Sequence, residues 1–151
     1  MSKKWSRAVA VFMYLLVCAA VLYAPPLRVR VNGRWTVRLD DRDIGAPGSG
    51  FTTPYESTAS QVTITIQNSL TTWALYVRKS DVNWNSNLPL YVRRTGTGAT
   101  SFQQVTDSDV LFFTGTGGES NIPVQLRLDL DLQYLTVDSY VTTIIYTAVE
   151  D

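Results

Sequence analysis

With 151 residues, the chain has room for one domain of ordinary size. Thirteen basic residues balance thirteen acidic ones, but Lys3, Lys4 and Arg7 belong to the N-terminal end; from Pro25 onward ten basic face thirteen acidic residues, a net of −3 that argues against nucleic acid as a partner. Histidine is absent and the single cysteine, Cys18, lies in an apolar stretch, so the chain after it has no disulfide, no thiolate metal site and no imidazole base to offer.

The N-terminal end reads as a targeting segment. "MSKKWSR" supplies positive charge, and Ala8 to Ala24 is an uncharged apolar run of seventeen residues, short of the roughly 20 that cross a bilayer comfortably as a helix. Cleavage after Ala19 or Ala20 fits a secretory signal. An uncleaved anchor through residues 8–24 and a lipid on Cys18 are the other readings, although "LLV" before Cys18 lacks the small residue a lipobox carries. All three place residues 25–151, the expected folded domain, outside the cytoplasmic membrane, secreted or at the cell surface.

From Pro26 on, alternation of period two replaces any helical spacing. In "LRVRVNGRWTVRL" the apolar positions Leu27, Val29 and Val31 alternate with Arg28 and Arg30, and Asn32-Gly33 predicts a two-residue hairpin turn with "RWTVRL" as its second arm. "QVTITIQN" sets Val62, Ile64 and Ile66 against Thr63 and Thr65. "TWALYVRKS" sets Trp73, Leu75 and Val77 against Ala74, Tyr76 and Arg78. "LPLYVRR" follows, with Pro89 suggesting a start at a sheet edge, then "DVLFFTG". "QLRLDLDLQYL" puts Leu126, Leu128, Leu130 and Leu132 on one face and Arg127, Asp129 and Asp131 on the other, and "YVTTIIYTAVE" closes the chain. Turn-rich runs separate these segments, and the composition is heavy in Thr, Val, Tyr and Leu with only three Glu and three Lys. The expected fold is all-β, an antiparallel sandwich of about eight strands after an N-terminal hydrophobic helix. Trp35 and Trp73 fall on apolar faces and are expected in its core.

Little in this pattern carries catalysis. The runs "TGTGATS" and "TGTGGES" lack the Gly-Lys-Ser/Thr ending and the following helix of a phosphate loop, and read as hairpin turns. Asp40, Asp41, Asp43, Asp107 and Asp109 lack the spacing of a calcium loop and read as solvated turn acids. Asp129 and Asp131 are neighbours on one strand face, where they cannot bracket a substrate. With no base to activate a nucleophile the chain reads as a non-enzyme without a cofactor.

Two binding readings remain. In "DVNWNSNLPLYV", Trp84 stands among Asn83 and Asn85 with Tyr91 close by: either an indole folded back as a lid, or a platform on which a sugar ring stacks while the amides bond its hydroxyls. The second concerns the N-terminal arm. Pro25-Pro26 stiffens the chain and detaches the apolar "VLYA" before it, an arm that a neighbouring subunit can bury by strand addition.

The closing strand "DSYVTTIIYTAVED", with Tyr140, Ile144, Tyr146 and Thr147, resembles that of secreted fimbrial-type β-sandwiches, the spore coat protein U-like and pilin-like surface subunits. Those pilins usually carry a disulfide and a longer donor extension, which this chain lacks. The resemblance implies a homopolymer: a structural subunit of an extracellular fibre, pilus or coat. Val21, Leu22, Tyr23, Leu27, Val29 and Val31 would act as donor, and Val141, Ile145 and Val149 as part of the acceptor. The alternative function is a surface adhesin that binds cell-surface or matrix glycans through Asn83, Trp84, Asn85 and Tyr91.

Overall fold

A computed structural model describes residues 25–39, 54–130 and 138–150. The expected N-terminal helix, Val21 to Tyr23, Asp40 to Asp43, Asp131 and Leu132 lie outside the described residues.

Nine strands are formed there: β1 (Arg28–Asn32), β2 (Tyr55–Glu56), β3 (Val62–Gln67), β4 (Thr72–Asn83), β5 (Leu90–Arg94), β6 (Gln103–Gln104), β7 (Val110–Thr116), β8 (Glu119–Leu128) and β9 (Val141–Glu150). No helix occurs among the described residues. The strands make two antiparallel sheets. The larger runs β1-β3-β8-β5-β6, with β2 pairing to β8 beyond the end of β3; the smaller runs β7-β4-β9. Their inner faces meet as a sandwich, in which Val62, Ile64, Ile66, Val92, Ile122, Val124 and Leu126 pack against Trp73, Leu75, Val77, Phe112 and Phe113.

The period-two reading holds because a strand turns alternate side chains to opposite faces. Ile64, Trp73, Leu75, Val77, Val92 and Val124 are wholly buried, and Trp35 packs against the core from its margin. Trp73 donates its indole N–H to the Gly117 carbonyl at 2.8 Å, which satisfies the one polar atom it brings inside.

Three features depart from simple alternation, and each has a local cause. In β7 the register against β4 shifts by one residue between Leu75 and Tyr76; the extra residue lets both Phe112 and Phe113 turn inward, with ring centroids 4.8 Å apart. In β8 a second bulge, at Ser120–Asn121 opposite Thr65, puts Asn121 at φ 57°. The third is the first hairpin, which does not form. A type I′ turn needs positive φ at both central residues, and only Gly33 (φ 125°) has it. β1 pairs instead with β3, Arg28 opposite Gln67 through Asn32 opposite Thr63, and "RWTVRL" forms no strand. Gly33 is needed for a different reason: a Cβ there would stand 2.3 Å from the Gln61 carbonyl oxygen. This close passage, held by Gln61 Nε2 donating to the Arg34 carbonyl at 2.6 Å, carries the chain past β3 and brings Trp35 to the core.

Candidate functional site

The smaller sheet ends in β9, a strand of ten residues. It pairs with β4 over its whole length, from Trp73 opposite Glu150 to Asn83 opposite Val141, and among the described residues no strand pairs with its other edge. Ile144, Tyr146 and Ala148 turn to the core, so Val141, Ile145 and Val149 share the outward face. Val141 and Val149 are 49% and 50% exposed. Beside them on the same face lie Ala74, Tyr76 and, on β7, Leu111 at 48%. A long edge strand whose only charge is its terminal Glu150 has none of the lysines or prolines that usually prevent pairing with another chain.

The start of β9 is fastened to β4 by polar contacts. Asn83 Nδ2 donates to the Ser139 carbonyl at 2.8 Å, and Thr142 Oγ1 donates to Asp81 at 2.8 Å. Burial alone would raise the Asp81 carboxyl, but hydrogen bonds from Lys79 and Thr142 outweigh it and hold the group below its ordinary 3.8. At the core side of the strand, burial pushes the Tyr146 phenol well above its ordinary value. Its hydroxyl is buried without a hydrogen-bond partner.

The expected donor residues separate into two groups. Val21, Leu22 and Tyr23 lie outside the described residues. Leu27 and Val29 pack against the chain's own core and Val31, 46% exposed, pairs with Ile64, so β1 completes its own sandwich. Asn68 Nδ2 donates to the Pro26 carbonyl at 3.2 Å, which places the root of the arm beside the β3–β4 turn. That turn carries Leu70, 88% exposed, and leads into Trp73 opposite Glu150, so the arm leaves at the end of the sandwich where β9 also ends.

The proposed glycan residues are not gathered into one platform. Trp84 is half-buried, and its indole N–H donates to the Leu88 carbonyl at 3.0 Å within its own loop, which is the lid geometry. Asn83 holds Ser139, and Asn85 Oδ1 accepts the Asn87 N–H at 3.0 Å as the cap of a local turn. Tyr91 belongs to another group, on the outer face of the larger sheet. There the Arg127 guanidinium lies 5.5 Å from the centroids of both Tyr91 and Phe102, and Arg93 lies 4.3 Å from Phe102. Arg127 forks onto Asp129 at 2.8 and 3.1 Å, so Asp129 acts as an ion-pair partner rather than as half of a carboxylate pair. Sequence reading missed this ladder because Phe102 sits in a turn-rich run and Arg127 alternates with leucines; the one signal on a single strand was Tyr91 two residues before Arg93.

Asp107 and Asp109 are exposed, with Asp109 3.5 Å from Arg78, and among the described residues no cluster of three metal-ligating side chains occurs. No protein family, no curated protein and no solved structure matches this chain.

Proposed function

We propose that this protein is a structural subunit of an extracellular fibre, pilus or coat, assembled by adding the N-terminal arm of one copy to the β9 edge of the next. The observation that carries the reading is β9: ten residues long, open on one edge among the described residues, almost uncharged, and flanked by outward Val141, Ile145 and Val149.

Two further features support a head-to-tail arrangement. The arm is rooted by prolines at one end of the sandwich, beside exposed Leu70, while the register break in β4 leaves Val82 78% exposed at the other end, beside the start of β9. An arm at one place on a subunit and its acceptor edge at another make a head-to-tail contact, which repeats as a filament where the rotation does not close. In this arrangement Leu27, Val29 and Val31 anchor the arm in its own sandwich, and Val21, Leu22 and Tyr23 are the residues that cross to the neighbour.

Negative-stain electron microscopy of three proteins tests the reading: the chain beginning at Val21, the chain beginning at Pro25, and the longer chain with Ile145→Lys, which places a cation on the outward face of the edge strand. Filaments are expected from the first alone. Regular filaments from the chain beginning at Pro25, or from Ile145→Lys, would refute it.

A further inference from the structure

On the outer face of the larger sheet the chain builds a polar concavity. The register places Arg30 opposite Thr65 and Asn32 opposite Thr63, and the β8 bulge brings Asn121 beside Thr65, where its backbone N–H donates to Thr65 Oγ1 at 3.2 Å. A bulge bends its strand and increases the local twist. Here it accompanies a shallow depression of about 450 Å³ lined by Arg30, Val31, Asn32, Thr63, Thr65 and Asn121, a size within the ~300–1,000 Å³ of ligand clefts.

Its lining is chemically uncommitted. Among the described residues Arg30 forms no ion pair, and the side chains of Asn32, Thr63 and Asn121 make no hydrogen bond within the protein. By contrast, Arg78, Arg93, Arg94 and Arg127 each face a carboxylate. Arg28, the next outward residue on β1 and about 7 Å along the strand, is also exposed and unpaired among the described residues, and no acid occurs between Pro25 and Leu39.

We propose that this depression binds an acidic polysaccharide, with Arg30 forking onto a sugar carboxylate and Arg28 meeting the next one along the chain. A guanidinium presents paired donors that match a carboxylate. The two threonine hydroxyls and two carboxamides around it both donate and accept, as a ring of sugar hydroxyls requires. Nucleic acid fits less well, because no aromatic side chain lines the depression for a base to stack on. An anionic lipid surface fits less well because the site is concave and its one apolar lining residue, Val31, pairs with Ile64 on the other face of β1.

The test is titration of the full chain with a short oligogalacturonate, next to a neutral oligosaccharide of equal length, single-stranded DNA and vesicles of anionic phospholipid. Arg30→Gln is compared with Arg78→Gln, which removes the same charge from the other sheet. Binding of the oligogalacturonate alone, weakened about tenfold or more by Arg30→Gln and unchanged by Arg78→Gln, is expected, with both variants melting like the parent. Three results would overturn the proposal: no binding, equal weakening by the two variants, or binding of DNA or vesicles as strong as that of the sugar acid.

Discussion

The buried hydroxyl of Tyr146 offers a sharp energetic test of the sandwich, because replacing Tyr146 with Phe removes one atom and leaves the ring where it is. The ring keeps its contact with Phe112, 6.2 Å between centroids, and its place opposite Val77 against the core. What disappears is a phenol oxygen buried with no partner. An orphaned polar group of this kind costs about 1–3 kcal/mol relative to its hydrated state in the unfolded chain. Tyr146→Phe is therefore expected to stabilise the fold by about 1 kcal/mol, a rise of roughly 3–5 °C in melting temperature for a domain of this size. Urea titration at neutral pH reads it as a higher midpoint at unchanged slope.

The same substitution has a signature in alkali. Burial raises the folded-state pKa of Tyr146 above its ordinary 10.0, so above that pH the unfolded chain loses this proton first. With fewer protons bound in the unfolded state, stability falls as pH rises, by up to about 1.4 kcal/mol per pH unit for one such group. The contribution is fully present below pH 10 and lost above it. The wild-type protein should lose stability more steeply than Tyr146→Phe between pH 10 and 11.5, while the other titrating groups cancel in the comparison. A variant less stable than wild type by 1 kcal/mol or more, with parallel alkaline profiles, would refute the reasoning and mean that the hydroxyl is hydrogen-bonded.

Two glycines carry further predictions. At Gly115 a Cβ would lie 2.2 Å from Trp73 Cζ2, on an indole pinned by its bond to Gly117, so Gly115→Ala should destabilise by about 2–4 kcal/mol and reduce the near-ultraviolet dichroism of Trp73. Gly33→Ala meets both a positive φ and the Gln61 carbonyl, and should speed amide hydrogen exchange along β1, whereas Asn32→Ala should leave stability within about 0.5 kcal/mol. Equal sensitivity at Asn32 and Gly33 would restore the hairpin turn.

The all-β class and most core positions were legible because alternation is local: Val62, Ile64, Ile66, Trp73, Leu75 and Val77 announce their faces two residues at a time. Pairing was less so. Asn32-Gly33 carries a strong hairpin signal, yet β1 pairs with β3 across some thirty intervening residues, and a short-range rule cannot weigh that alternative. Bulges were invisible for a related reason. Strict alternation allows only one of the neighbours Phe112 and Phe113 to face inward, and both do so through the extra position in the register against β4. The depression at Arg30 draws on β1, β3 and the β8 bulge, three segments that are brought together by pairing and by no shared motif.

The two sheets present unlike outer faces, and under the proposed assembly the difference would let one subunit do two things. The larger sheet turns Arg28, Arg30, Arg93 and Arg127 outward among threonines, amides and carboxylates, a surface that water or a charged polymer solvates well. The smaller sheet turns out Ala74, Tyr76, Leu111, Val141, Ile145 and Val149, with Arg78 as the cation among them. An apolar face of that kind bordering an open strand edge is what a neighbouring chain would cover, since a strand added along β9 extends the ladder and shields Val141 and Val149 in the same step. Assembly through the smaller sheet would leave the arginine-bearing face of every subunit exposed along the fibre. Sites that are weak singly would then act together on a long polyanion.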